Sequence, residues 1–283
     1  MEGGEDGRKW EDLQIDCLLN IFQRLGLEDL SVGVPFVCWS WYKASLSPIL
    51  WQTLNLSEID LRVPDSPFVE RFMAQYHLEA FSFSGFLKFV VNRGRRSAWK
   101  VLFPSEGVSI EDWTYVAEQC PALSILALPD TMENEVEKCI PDFICRWKEL
   151  EWLCMQSIPV SFREILSEIN CHCHYFFGMV TRGWITADEV FSITEFLPKI
   201  KHLHLRGSFM SKGSLMLILE GCKELKVLDV RDCLGLLIDD EALKKASTIE
   251  TFQYGGFLLE EEEEDTDEDK EHVLHVIMFL GGA

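Results

Sequence analysis

The chain has 283 residues, 47% of them hydrophobic, enough to bury a sizeable core in one domain or two. Its formal net charge of −21 opposes nonspecific attraction to nucleic acid or to an anionic membrane. Ten cysteines with no Cys-x-x-Cys pair, behind a start (MEGGEDGRKWED) that lacks the apolar run of a signal peptide, point to free thiols in a reducing compartment, cytoplasm and/or nucleus.

Residues 10 to 51 are dense in large apolar side chains. Leu18, Leu19, Phe22 and Leu25 fall at i, i+1, i+4 and i+7, which puts them on one face of a helix with Asp16 at the N-cap position. A second apolar run follows through Leu30 and Val34, and Pro35 ends it and opens a third with Val37, Trp41 and Leu46. Three short helices in about forty residues cannot bury all of these groups among themselves, so a partner is implied. Burying five or six such side chains is worth about 8 to 18 kcal/mol as an upper estimate. Association costs about 4 to 15 kcal/mol, so most of the patch has to engage.

This stretch resembles an F-box, the adaptor-binding module of cullin-RING ubiquitin ligases. The resemblance rests on Leu13, Asp16, Leu18 and Leu19, Ile21 and Phe22, Leu25, Asp29 and Leu30, Val37 and Cys38, Trp41, and Leu50 and Trp51. Gln14 departs from the family's proline, and Trp39 stands where a basic residue is usual. The resemblance implies docking on a Skp-type adaptor through Leu13, Leu18, Leu19, Phe22, Leu25 and Leu30, with Trp41 packing inside the module.

Beyond residue 51 the chain repeats. Apolar quartets at i, i+3, i+4 and i+7 begin at Leu87, Trp113, Ile140, Phe162, Val190 and Leu215, each predicting one buried helix face. Short alternating stretches predict strands after them: Leu123-x-x-Leu126-x-Leu128, Leu150-x-x-Leu153-x-Met155, Ile200-x-x-Leu203-x-Leu205 and Leu225-x-x-Leu228-x-Val230. Four times the first helix anchor precedes the middle strand anchor by thirteen residues, from Trp113 to Leu126, Ile140 to Leu153, Val190 to Leu203 and Leu215 to Leu228. The last strand anchors Phe103, Leu128, Met155, Leu205, Val230 and Tyr254 fit a period near 25. One further strand is expected between Met155 and Leu205, anchored either by Tyr175 and Phe177 or by Phe177 and Met179. This is the signature of leucine-rich repeats. The segment CKELKVLDVRDC followed by IDDEAL is similar to the cysteine-containing subclass, in which the cysteines are buried small residues.

Three polar clusters and the tail remain. Cys171, His172, Cys173 and His174 have metal-ligand chemistry, but an extended segment sends cysteines and histidines to opposite faces, so no metal is expected. Arg93, Arg95, Arg96 and Lys100 suit a helix C-terminus and the turn after it. His202 and His204 flank a buried Leu203 and are expected on the concave face with Arg206. The run 260 to 271 holds ten acids and one lysine and is expected to be a solvated loop, with HVLHVIMFL behind it folding back to cap the last repeat. Its longest apolar run, Val276 to Leu280, is far too short to span a bilayer. There is no nucleophile elbow, phosphate-cradling glycine loop or zincin helix, and no catalytic residue or cofactor is expected.

The reading is an α/β chain: a three-helix F-box (10–51), a curved leucine-rich-repeat solenoid of alternating short parallel strands and helices (52–257), and an acidic loop with an apolar C-terminal segment (258–283). The resemblance to plant F-box proteins with leucine-rich repeats implies a non-catalytic substrate-recognition subunit. It would bind the adaptor, and through it cullin and RING subunits, at one end and a target protein at the other. Strand parity puts Trp152, Gln156, Phe176, His202, His204, Arg206, Asp229 and Arg231 on the concave face as candidate target contacts. Trp152, Phe176 and Arg206 are the expected anchors. The alternative is a leucine-rich-repeat scaffold without a ligase role; a hormone-type ligand receptor would need a pocket that eight or fewer repeats do not readily form.

Overall fold

The computed structural model describes residues 10–61 and 65–255. The expected acidic loop and C-terminal cap lie outside them. The chain divides into two compact units, 1–132 with 146–149, and 133–145 with 150–283.

In the first unit a turn at Trp10–Asp12 leads into α1 (Ile15–Phe22). Asp16 sits in the first turn of α1, and Gln14 takes the N-cap position without a side-chain hydrogen bond. A wide turn, Asp29–Gly33, and a tight one, Val34–Phe36, precede α2 (Trp39–Ser45). Pro35 therefore lies inside a turn, and α2 starts four residues later because Cys38 is extended at φ −160°. After a last turn at Pro48–Trp51 come β1 (Thr53–Asn55), α3 (Pro67–Tyr76), α4 (Phe83–Gly94), β2 (Lys100–Leu102), α5 (Ile110–Gln119) and β3 (Ile125–Ala127). The three strands are parallel, with Leu54 beside Val101 and Val101 beside Leu126.

Serine caps set the helix starts: Ser66 accepts from the Val69 amide, Ser82 from Gly85, and Ser109 forms a reciprocal box with Asp112. Pro67 at the first position of α3 needs no amide partner.

An aromatic cluster joins the N-terminal helices to the first repeat. Trp51 is fully buried, donates Nε1–H to the Ser45 carbonyl at 2.7 Å, and meets Phe89 edge-on at 6.0 Å. Gly94 allows this approach, since a Cβ there would stand 2.8 Å from the Trp51 carbonyl oxygen. Phe72 contacts Phe68, Tyr76, Phe86 and Phe89, and the Tyr76 hydroxyl donates to the Ser31 carbonyl at 2.8 Å. Arg93 lies over Phe89 and Trp51, at 4.4 and 5.1 Å from their centroids, and its burial lowers the guanidinium pKa. Part of the apolar surface of residues 10–51 is thus covered by α3 and α4 of the same chain.

The second unit contains α6 (Asn134–Ile144), β4 (Trp152–Met155), α7 (Phe162–His172), β5 (Gly178–Thr181), β6 (Trp184–Ile185), α8 (Ala187–Phe196), β7 (His202–His204), β8 (Phe209–Met210), α9 (Lys212–Gly221), β9 (Val227–Asp229), α10 (Asp240–Ala246) and β10 (Thr251–Gln253). Strands β4, β5, β7, β9 and β10 form a parallel ladder in that order, with Leu153, Met179, Leu203, Leu228 and Phe252 in register. Helix alternates with short parallel strand throughout, the architecture of leucine-rich repeats.

All six quartets lie on helices or their caps except for Trp147, which falls two residues past the C-cap of α6, and of their members only Thr194 is not buried. The middle strand takes the second of the two registers. Met179 aligns with Leu153, whereas Tyr175 is exposed. The thirteen-residue offset therefore starts from Leu166 and not from Phe162. Counting seven on from the helix anchors Trp113, Leu166 and Leu215 reaches Cys120, Cys173 and Cys222, the C-caps of α5, α7 and α9. Each cap amide donates to the carbonyl four residues back, and each thiol is buried. Burial pushes all three thiols up to about 12. Helices α3 and α10 and strands β1, β6 and β8 fall where the chain carries none of the counted quartets or strand anchors.

The three cap thiols therefore stay protonated at any physiological pH. Iodoacetamide at about pH 8 should label the exposed Cys17 and Cys171 of the native protein and leave Cys120, Cys173 and Cys222 unmodified until urea unfolds it. Mass spectrometry of the digested protein reads this directly. Native labelling of the cap cysteines at the same rate as Cys17 would contradict their burial.

Candidate protein-interaction surfaces

The N-terminal helices have few residues with which to build a core, so they spend their best ones on it. Phe22 is fully buried and meets Trp41 edge-on at 5.0 Å; Leu18 and Leu30 are equally enclosed. Trp41 Nε1 donates to the Trp10 carbonyl at 3.3 Å and Ser40 to that of Glu11 at 3.0 Å, which draws the first turn onto α2. Of the six residues expected to contact an adaptor, Leu18, Phe22 and Leu30 thus support the module from within. Leu13, Leu19 and Leu25 are half-buried. The solvent-facing apolar groups are others, chiefly Ile15, Ile21, Phe36, Val37 and Trp39. Of seventeen exposed large apolar residues among those described, eight fall between Trp10 and Ile49. That density is far above what scattered surface hydrophobics need, and it marks an interaction face.

Gln14 has φ −61° and ψ 146°, the backbone conformation that a proline would adopt. The departure from the leucine-proline pattern thus leaves the chain path intact and removes only its stiffening.

In the second unit the outward row of the ladder runs through Trp152, Gly178, His202, Val227 and Thr251 and through Cys154, Val180, His204, Asp229 and Gln253. Trp152 is only 1% exposed. Its indole lies across Gly178, where a Cβ would come within 2.4 Å of the ring, and it is flanked by Phe177 at 5.5 Å and His202 at 5.4 Å. It is a packed side chain and not an open anchor. Phe176 falls in the turn before β5, half-buried, with its amide donating to the Cys173 carbonyl. With Met179 as the strand anchor, Gly178 and Val180 occupy the outward row, so Phe176 leaves the expected set.

The charged members of the row are bound to one another. Arg231 clasps Asp229 with Nε and Nη2 at 2.9 and 2.7 Å, and Arg206 Nε holds Asp232 at 2.7 Å. Burial pushes the Asp229 carboxyl up, but the Arg231 hydrogen bonds more than offset this and hold it well below the usual carboxylate range. His204, nearly buried, has Nδ1 3.9 Å from Asp229 Oδ2, beyond hydrogen-bond reach. Burial, then the neighbouring His204, lowers the pKa of His202. Gln156 is half-buried just after β4.

Cys171 and His172 belong to α7 and not to an extended segment, because the helix runs on to His172; only Cys173 turns inward. Among the described residues no three His, Cys, Asp or Glu side chains are placed to hold a metal ion. Arg93 lies in the last turn of α4 and Arg95 and Arg96 follow in left-handed conformation, the turn expected there, whereas Lys100, the fourth member of that basic cluster, is buried in β2. The surface that parity reasoning missed lies in the loops after β5, β7 and β9. Trp184, Phe209 and Leu234 stand exposed there at the 25-residue interval of the repeats, and that spacing was the available signal.

Comparison with known proteins matches the F-box domain to residues 10–53. An F-box/LRR-repeat protein of Arabidopsis thaliana is 33% identical over 228 residues, covering 79% of this chain and 72% of the relative. The F-box proteins FBW2 and SKIP1 of the same plant are each 24% identical, over 87% and 82% of this chain and 74% and 81% of their own lengths. With the N-terminal helices, the helix-strand repeats and a relative of this identity along most of its length, the chain belongs to the F-box/leucine-rich-repeat family.

Proposed function

We propose that this protein is the substrate-recognition subunit of a Skp-cullin-F-box ubiquitin ligase, acting in the cytoplasm and/or nucleus. Residues 10–51 seat on a Skp-type adaptor, which brings the cullin and RING subunits, and the repeats of residues 52–257 hold a target protein. F-box proteins are generally non-catalytic receptors of this kind, and the contribution here is proximity. Holding a target beside the charged ubiquitin carrier raises its effective concentration, and other subunits carry out the transfer.

The observation that carries the reading is the exposed apolar surface of the F-box region, in a chain whose other described apolar residues are mostly enclosed. Ile15, Ile21, Val37 and Trp39 form the adaptor face with the half-buried Leu13, Leu19 and Leu25, while Leu18, Phe22 and Leu30 hold it from beneath.

Co-expression with a Skp-type adaptor should give a stoichiometric complex on size-exclusion chromatography. Ile21→Asp with Val37→Asp should abolish it and leave circular dichroism unchanged, because both side chains already face water. Leu18→Ala with Phe22→Ala should also lose it, but by unfolding the module, at about 2 to 5 kcal/mol for each substitution. No complex with the wild-type chain would leave a repeat scaffold without a ligase role.

Gln14 already has proline geometry, and its amide donates no hydrogen bond among the described residues. Gln14→Pro should therefore stabilise the module by about 0.4 to 1 kcal/mol by restricting the unfolded chain. Calorimetry should show a higher melting temperature with adaptor binding no weaker than wild type. A lower melting temperature would mean that the position is not preorganised.

A further inference from the structure

The loops leaving the main strands of the second unit build a smaller parallel ladder of their own. Trp184 pairs with Phe209 and Ile185 with Met210, and Phe209 bridges on to Leu234. Backbone hydrogen bonds from Phe209 to Gly183, from Met210 to Leu234 and from Leu234 to Ser208, all 2.9 to 3.0 Å, fix the three rungs side by side. Ile185 and Met210 point inward and are buried. Trp184, Phe209 and Leu234 point outward and are 68%, 43% and 49% exposed, with the two rings 4.5 Å apart. The solvated face of a small sheet is ordinarily polar. Here three successive rungs are large and apolar.

Beside Trp184 the surface dips into a groove of about 740 Å³ walled by Val160, Trp184 and Phe191, all exposed. Its charged margin is unbalanced. Arg163 is engaged by Glu195 at 2.8 Å and lies over Phe196. Glu189 is occupied in capping Thr186. The Asp188 carboxylate is in no hydrogen bond or ion pair with any described residue, and the chain as a whole carries −21.

We propose that this ladder and groove are the target-binding site of the repeats, and that the part of the target they take is an amphipathic, basic helix. This rests on the reading of the chain as a target-binding subunit. Neighbouring strands lie about 4.8 Å apart, so three rungs make a ridge about 10 Å long. Side chains at i, i+4 and i+7 of a helix are spaced about 5 to 6 Å and keep step with it. An extended segment, with same-side residues about 6.8 Å apart, falls out of step after one rung. A Lys or Arg on the flank of that helix meets Asp188, and the aromatic rungs supply the anchors that dominate interface energetics.

The test uses the full chain co-purified with a Skp-type adaptor, so that the F-box surface is covered. The probe is a fluorescent helical peptide of about fifteen residues, leucines at i, i+4, i+7 and i+11 and lysines elsewhere, titrated by anisotropy. The wild type should bind it. Trp184→Ser with Phe209→Ser should weaken binding at least about tenfold, with an unchanged thermal melt. Asp188→Lys should weaken it several-fold, and a peptide with glutamates in place of lysines should bind at least about tenfold more weakly than the lysine peptide. Unchanged affinity in the double variant, or equal binding of the glutamate peptide, overturns the proposal. So does binding that appears only after removal of residues 272–283, which would make the groove the seat of the chain's own tail. A concentration-dependent dimer abolished by the double variant would assign the face to a second copy and overturn it as well. Adaptor co-purification is scored separately; if it fails, the titration runs on the chain alone, so loss of the ligase reading and loss of the ladder are distinguishable.

Discussion

A three-residue strand beside a ten-residue helix cannot bury its own apolar side chains, and every other feature of this protein follows from that. Each repeat completes its core with a neighbour's helix and strand. The condition is a fixed distance along the chain between the residue that anchors the helix and the residue that anchors the strand. Leu166 and Met179 obey it as Val190 and Leu203 do, and the position seven residues beyond the helix anchor is then buried, whether it holds a cysteine, Leu197 or Trp147. Cysteine serves at Cys173 and Cys222, where burial makes the thiol a space-filling group and not a reactive one.

The N-terminal helices meet the same shortage differently. With Leu18, Phe22 and Leu30 enclosed and Trp51 locked against Phe89 and Gly94, the module borrows part of its core from α3 and α4. What it cannot enclose, from Ile15 to Trp39, it leaves facing water. An exposed apolar face of this kind is the remainder of an undersized core. Its residues are those that the described elements touch only in part, as Tyr76 meets Phe36 and Tyr42 stacks on Trp39.

The outer surface of the second unit divides by the same logic. Stacked parallel strands bring row neighbours close enough to cover one another, so Trp152 lies down on Gly178 and Asp229 is gripped by Arg231. The face that strand parity marks as outward is largely satisfied from within. In the loop ladder each strand contributes only two residues, and nothing lies above its outer rungs among the described residues. Trp184, Phe209 and Leu234 consequently stay open.

Sequence by itself determined the helix faces, the repeat length, the F-box motif and the burial of Cys120 and Cys222. These depend on periodicities of two, 3.6 and about 25 residues that any reader of the chain can count. It left the strand near residue 177 undecided, because Phe162 and Leu166 are both apolar and lie one helical turn apart; only pairing with Leu153 selects Met179. It also could not separate support from contact among Leu13, Leu18, Leu19, Phe22, Leu25 and Leu30, or expose from bury at Trp152. A period says which side chains share a face. What covers that face is set by residues distant along the chain, such as Gly178 under Trp152 and Trp41 against Phe22, and only the tertiary structure brings them there.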